Sequence, residues 1–322
     1  MNSSFVVRRI LNALSTLAFV LVFNFFLFRF VNADPIGTLY RGRNVSREQI
    51  NLLRQQFGLN DSTLVQFWRY LGQTLRGNLG ISYATRRPVT AEIGDAFWPT
   101  VLLVGSSAVL SAVIGIALGK RAGWRTNSRF DHASTSASMT LYAMPDFWLA
   151  LLLLVVFAQR LGWFPIRGMT DPRSEATGLR ALAETLHHLV LPAATLTMAY
   201  IGEYVLLMRT SMVDVKGDDF LTLARAKGLR DVLVRDRHAV PNALLPVVTL
   251  LAINVGYVLS GAIAVESIYS WPGLGQATFN AIRLPDYPML QGLFLLFTAA
   301  MILANLIADL LYGYLDPRVG RP

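Results

Sequence analysis

Six apolar runs, each near the length that a lipid bilayer demands, constrain this chain more tightly than anything else in it. They fall at 7–28, 98–118, 133–157, 189–208, 243–265 and 288–312. A helix rises about 1.5 Å per residue, so roughly 20 apolar residues cover a hydrocarbon core ~30 Å thick. The fold class predicted is an all-α membrane protein with six transmembrane helices. Apolar side chains make up 53% of the 322 residues, which agrees with an integral membrane protein. Arg8 and Arg9 stand at the start of the first run, which is longer than the core of a cleaved signal peptide and lacks its small-residue exit site. A retained first helix with its amino terminus in the cytoplasm is therefore expected, and six spans return the carboxyl terminus to the same side.

The net charge of +9 resides in the segments between these runs, where lipid headgroups and membrane orientation account for it, so nucleic-acid binding is not implied. Zero cysteines exclude a disulfide framework and thiolate metal sites. The expected organisation is an N-terminal anchor (1–30), a polar extracytoplasmic subdomain (31–97), a core of five further spans (98–316) that includes a cytoplasmic loop at about 209–241, and a short cytoplasmic tail (317–322). Within the subdomain, Ser46 as N-cap and Gln49 at the capping-box position predict a helix running toward Phe57, with Gly58 as its stop. A second amphipathic helix is predicted over Thr63–Leu75, with Leu64, Phe67, Trp68 and Leu71 on its apolar face. Gly77, Gly80 and Pro88 then mark loops.

Several polar or small residues inside the runs bear on function. Ser107, Ser111, Gly115 and Gly119 recur every four residues, as do Ala252, Gly256, Ser260 and Ala264, and such ridges let helices approach closely in lipid. Gly115–Lys120 imitates a phosphate loop, but its glycines are one residue too close and Arg121 replaces the Ser or Thr that would hold magnesium. Met144-Pro145 breaks the third run, and Asp146 then either lines a pathway or caps the restarted helix. His187 and His188 lie about 100° apart on a helix and have no third ligand at a useful spacing, so an interfacial position is expected. Glu203 sits inside the fourth run, where a carboxylate costs a few kcal/mol and must face a bundle interior or a water-filled path. Arg209 is six residues on, the wrong spacing for a same-face pair. Asn254 accompanies the second ridge, Glu266 ends the fifth run, Trp271 suits a membrane interface, and Pro272-Gly273 demands a turn.

Between the fourth and fifth runs lies Thr222-Leu223-Ala224-Arg225-Ala226-Lys227-Gly228-Leu229, continuing to Val240 and Pro241. It reads as a short helix up to Gly228, a glycine turn, and a second short helix over Leu229–Ala239 closed by Pro241 and Pro246. A charged helix–glycine–helix elbow between two membrane spans fits a docking surface for a cytosolic partner; the alternative is a solvated loop.

This elbow resembles the signature loop of bacterial ABC-importer permeases, in which Glu-Ala-Ala is followed at fixed spacing by Gly and then by Ile-x-Leu-Pro. Gly228 takes the glycine position, and His238-Ala239-Val240-Pro241 the terminal one. Thr222-Leu223-Ala224 stands where Glu-Ala-Ala is usual, and Ala224 to Leu229 has the form typical of the dipeptide, oligopeptide and nickel branch. The segments Gln56–Asp61, Gly80–Tyr83, Gly162–Pro165, Glu266–Gly275 and Asp286-Tyr287-Pro288 are similar to that branch as well.

The resemblance implies a type I ABC importer permease in the bacterial inner membrane. Its partners would be a second, paralogous permease subunit, two cytosolic ATPase subunits and an extracytoplasmic binding protein. The cargo would be di- or oligopeptides, or, on the same scaffold, nickel chelates or glutathione. ATP and magnesium would belong to the partner subunits, with no cofactor in this chain. Thr222, Ala224, Arg225, Ala226, Lys227, Gly228, Leu229, Val240 and Pro241 would form the ATPase-docking loop. Asp146, Glu203, Asn254, Glu266, Trp271 and Asp286 would serve the translocation path or its gate. An intramembrane enzyme is disfavoured by the absence of a nucleophile–base pair, a metalloprotease pattern or a dinucleotide fingerprint. An ion-coupled secondary transporter agrees with Glu203 and Asp309, but has no need of the elbow.

Overall fold

The computed structural model describes residues 3–31, 46–56, 60–260 and 262–315, and among them every regular element is a helix. In chain order these are α1 (Ser3–Val31), α2 (Arg47–Gln56), α3 (Thr63–Leu75), α4 (Val89–Trp124), α5 (Arg129–Ala143), α6 (Asp146–Leu153), α7 (Leu179–Lys216), α8 (Asp219–Ala226), α9 (Asp231–Leu233), α10 (Val240–Ser260), α11 (Ile263–Ile268), α12 (Leu274–Arg283) and α13 (Tyr287–Leu315). Widened π-helical turns extend α6 over Leu154–Arg160 and join α9 to α10 over Val234–Ala239. The stop expected at Gly58, the tail 317–322, and the side chains of Ala252, Gly256, Ser260 and Asp309 lie outside the described residues.

Among the described residues, four helices are long and apolar enough to cross a membrane: Val6–Phe30, Val89–Trp124, Leu179–Lys216 and Tyr287–Ile307. A fifth arises if α5 and α6 are one broken span, bent by 101°. The proline break expected at Met144-Pro145 is thus a corner. Pro145 has no N–H to continue α5, and Asp146 opens the next helix, its carboxylate accepting from the Phe147 amide at 2.7 Å. α4 and α7 are much longer than their apolar runs, at 36 and 38 residues. At about 1.5 Å per residue each exceeds the hydrocarbon thickness, so their polar ends project beyond it.

α4 and α7 pack along most of their length because the predicted ridge removes side-chain bulk between them. A Cβ at Gly115 would lie 2.5 Å from the Tyr204 Cβ, and one at Gly119 would lie 2.6 Å from the Val205 carbonyl oxygen. The same close approach continues at Gly123, against Met212. Ser107 and Ser111 are buried on the same face, and the Ser107 hydroxyl donates to the Leu103 carbonyl at 2.7 Å. The imitation phosphate loop is therefore part of a continuous helix, its glycines occupied by helix packing. On the far side of α7, Gly202 gives α5 the same intimacy, with the Ser138 carbonyl where a Cβ would stand.

α1 is peripheral. It lies on α13 through Phe23 and Phe28 against Phe294, and on α3 through Phe25 against Phe67 at 5.3 Å. The expected apolar face of α3 divides: Phe67 and Leu71 turn partly inward, whereas Leu64, Val65, Trp68 and Leu75 stay exposed. A helix apolar on both flanks suits the membrane–water boundary, one flank on protein and the other on lipid. The capping box predicted for α2 is present, with the Gln49 amide donating to the Ser46 hydroxyl oxygen and the Ser46 amide to Gln49 Oε1, both at 3.2 Å.

One ion pair holds α5 to α7. Arg209 donates from Nε and Nη2 to the two carboxylate oxygens of Asp131, at 2.5 and 2.8 Å, and Asp131 is 1% exposed. The Asn127 amide donates to the same carboxylate at 2.9 Å. Asp131→Ala would leave the Arg209 charge without its partner in a half-buried setting, so a loss of about 2–4 kcal/mol is expected. Thermal unfolding of the purified subunit measures it; an unchanged melting temperature would show that the pair contributes nothing.

Candidate functional site

The elbow occupies one end of the α4–α7 pair. α8 carries Leu221 and Ala224 inward, where they join Met208 and Met212 of α7, Trp124 of α4, and Val234, Ala239 and Ala243 from the return path. Ala224 is therefore an anchor of the elbow and not part of its outer surface. The chain leaves α8 through Lys227 and Gly228, with the Gly228 amide donating to the Arg225 carbonyl at 2.9 Å. Gly228 has φ +79°, a left-handed conformation that favours glycine, and a Cβ there would meet nothing within 4 Å. Its requirement within this chain is the sharp turn.

The second helix of the elbow differs from expectation. It begins at Asp231 rather than Leu229 and does not end at Pro241. It widens over Val234–Ala239 and continues directly into α10. Pro241 cannot donate to the carbonyl four residues back, and the widened turn in front of it relieves the ring's clash with that carbonyl. A rigid path therefore links the elbow to the fifth apolar run. Val240 is half-buried and Pro241 exposed on this path.

The outer surface of the elbow is apolar with a basic rim. Phe220, Leu223, Leu229, Val232 and Leu233 are exposed, as are Thr222, Arg225, Ala226, Lys227 and Arg230. Phe220 and Leu223 carry no motif of their own, and their exposure is settled only once Leu221 and Ala224 are known to point inward.

Trp124 fastens this surface to the bundle. It is 9% exposed, and its indole Nε1 donates to Asp231 at 2.8 Å. Lys216 donates to the Trp124 carbonyl at 3.0 Å, and the Arg225 guanidinium lies 5.7 Å from the indole centroid. Asp236 pairs with Arg235 in a bidentate bond and with Lys120 of α4 at 3.6 Å. The hydrogen bonds of Arg235 hold the Asp236 carboxyl below its usual range. The one sequence signal for Trp124 is a lone indole in a turn otherwise rich in arginine.

The six candidate path residues fall into two groups. Asp146, Glu203 and Asn254 belong to the middle bundle. Glu203 is half-buried with no ion-pair partner among the described residues, and Asp146 accepts from the Phe147 amide at 2.7 Å. Asn254 donates to the Tyr204 hydroxyl at 3.0 Å, next in sequence to Glu203. Arg209 is engaged by Asp131 and leaves Glu203 alone.

Glu266, Trp271 and Asp286 are instead buried joints at the end of the bundle away from the elbow. Glu266 is fully buried, accepting from the Thr100 hydroxyl at 2.9 Å and from the Gln276 amide at 3.1 Å. A Cβ on Gly273 would collide with that carboxylate and one on Gly275 with the Ile263 backbone, which is why Pro272-Gly273-Leu274-Gly275 can wrap Glu266 so closely. Trp271, expected at a membrane interface, is fully buried and donates to the Pro99 carbonyl at 2.8 Å; the tight turn tucks its ring under α4. Asp286 accepts from the Ser82 hydroxyl at 2.5 Å and from the amides of Tyr83 and Ala84 at 3.1 Å, so it ties the 82–84 turn to the start of α13. Burial and the Asp286 charge push the Tyr83 phenol up to about 12. His187 and His188 bond the carbonyls of Trp163 and Gly168, both at 3.0 Å.

A multi-pass helical membrane protein with a projecting, apolar-tipped elbow is the permease component of a transport system. The chain belongs to the family described as binding-protein-dependent transport system inner membrane component, which matches residues 111–321, and the N-terminal membrane-component family of the same systems matches residues 2–104. It is 35% identical over 316 residues to the glutathione transport system permease protein GsiC of Salmonella paratyphi A, covering 98% of each chain. The protein of the same name from Escherichia coli strain K12 is 34% identical over the same length, again with 98% of each covered. The chain is thus an inner-membrane permease subunit of an ABC importer, of the branch its elbow resembles, and is itself non-catalytic.

Proposed function

We propose that this subunit forms half of the path of an ATP-driven importer for small peptides of the glutathione kind, with other di- and oligopeptides as the wider class. The elbow carries this proposal. Its apolar tip and basic rim suit a groove on an ATPase, and Leu221, Trp124 and the unbroken run into α10 would pass displacement of that tip to the bundle. Six spans, with both termini and the elbow in the cytoplasm, agree with the positive-inside rule counted over short loops. The 31–97 segment would then face a binding protein outside. Two ATPase subunits would supply the ATP and magnesium, and a paralogous permease the other half of the path. Glutathione as cargo is supported by the names of the relatives; selectivity would be shared with the binding protein. Alternating access needs contacts that differ between two states, and the corner between α5 and α6 offers a hinge for them.

Reconstitution in vesicles with and without the ATPase and binding-protein partners tests this directly. Glutathione and dipeptide uptake should require both partners together with ATP; uptake by the permease subunits alone would refute it. Within the bundle, Glu203 has no ion-pair partner among the described residues and would meet the amino group of the peptide. Glu203→Gln is expected to raise the half-saturating concentration about tenfold, the worth of one charge-assisted hydrogen bond. Unchanged uptake kinetics would assign Glu203 to subunit packing.

A further inference from the structure

Three arginines converge beside the elbow, and among the described residues only Arg235 of the three has a carboxylate partner. Arg121 and Arg125 from the end of α4 and Arg235 from the widened turn line a cavity of about 210 Å³, with Trp124 as its fourth wall. Arg121 is held in place by stacking on the Phe130 ring, 4.4 Å from its centroid. Arg235 is fixed from one side by Asp236. Arg125 is exposed, and its guanidinium has no hydrogen-bond or ion-pair partner among the described residues. Among the described residues, the carboxylates bonded to these walls are engaged: Asp231 accepts from Trp124, and Asp236 is shared between Arg235 and Lys120. A fork of guanidinium groups around a small cavity matches the tetrahedral oxygens of a phosphate.

We propose that this cavity binds the phosphate of an anionic phospholipid headgroup from the leaflet on the elbow's side. The lipid source is favoured over a soluble one because the walls belong to the end of a membrane-spanning helix, where basic side chains meet anionic headgroups. The bound phosphate would bridge Arg235 of the elbow to Arg121 and Arg125 of α4 and stiffen the joint through which the elbow moves. The proposal rests on the chain spanning a bilayer and not on its cargo, so the two fail separately.

The test is lipid retention by the full chain, purified with its co-expressed partner subunits and weighed intact by mass spectrometry after exchange with phosphatidylglycerol or phosphatidylcholine. Retention of phosphatidylglycerol should exceed that of phosphatidylcholine about tenfold, the preference should disappear in Arg125→Gln, and Arg125→Lys should restore most of it. Arg121→Gln should act in the same direction, while unchanged helicity of each variant by circular dichroism shows that folding is intact. Equal retention of both lipids, or of phosphatidylglycerol by wild type and Arg125→Gln, would overturn the proposal. Release of the lipid by millimolar inorganic phosphate would assign the site to soluble phosphate instead. Loss of ATPase co-purification in Arg125→Gln with no change in lipid would assign it to a partner carboxylate, and either result overturns the lipid site.

Discussion

Gly228→Val abolishes ATP-dependent uptake while the subunit remains inserted and assembled; that is the expected result with the largest functional effect. Gly228 holds φ at +79°, where a β-branched residue is strongly disfavoured. The left-handed position costs an ordinary L-residue about 1–2 kcal/mol, and valine more. Because a Cβ at this site meets no atom of the chain within 4 Å, the strain is relieved by swinging the turn rather than by unfolding the helices. Leu229, Val232 and Leu233 would then leave the surface they share with Leu223, and the docking tip would lose its shape. Gly228→Asn separates turn geometry from bulk, since asparagine tolerates the left-handed region, and should keep most of the uptake. Equal loss in both variants would mean that a partner presses on the glycine itself. Normal uptake in Gly228→Val would remove the elbow from the mechanism.

The largest effect on stability is expected from Gly119→Leu. Its Cβ would stand 2.6 Å from the Val205 carbonyl and 2.7 Å from the Met208 Cβ. One of these is backbone and the other is a fully buried side chain, so neither can step aside without separating α4 from α7. Overpacking of this kind costs about 3 kcal/mol or more, and in lipid, where helix association rests on close packing, it falls on the central pair of the bundle. Thermal unfolding and the yield of monodisperse subunit report it. Gly105→Leu is the control: it adds the same side chain to the same helix where nothing lies within 4 Å, and should change stability by no more than about 0.5 kcal/mol. A melting temperature for Gly119→Leu equal to that of the control would mean that the ridge is not a packing surface.

Local signals were legible wherever the partner lies within a few residues. The capping box at Ser46 and Gln49, the break at Met144-Pro145 and the turn at Gly228 are each decided by one backbone dihedral or one missing N–H. The α4 ridge was legible as a period, though not which helix it receives. Trp271 shows the opposite case. Its chemistry suits an interface as well as a core, and only the turn held by Gly273 and Gly275 around Glu266 puts it inside. Glu266 itself meets Thr100 across 166 residues of chain, and Asp131 meets Arg209 across 78, distances over which residue spacing carries no information. Trp124 carries no local signal of its role because its three partners, Asp231, Lys216 and Arg225, come from three different segments.

By itself the sequence determined that this chain is helical, that it lives in a bilayer, and that an elbow with a glycine turn joins two of its spans, because hydrophobic length, proline and glycine act on the backbone they belong to. The tertiary structure alone decided which carboxylates are buried joints and which remain free, and which face of the elbow points outward. Those outcomes depend on pairing between distant helices: a charge is tolerated in a low-dielectric interior only where the fold delivers its hydrogen-bond donors, and no single segment states where they will come from.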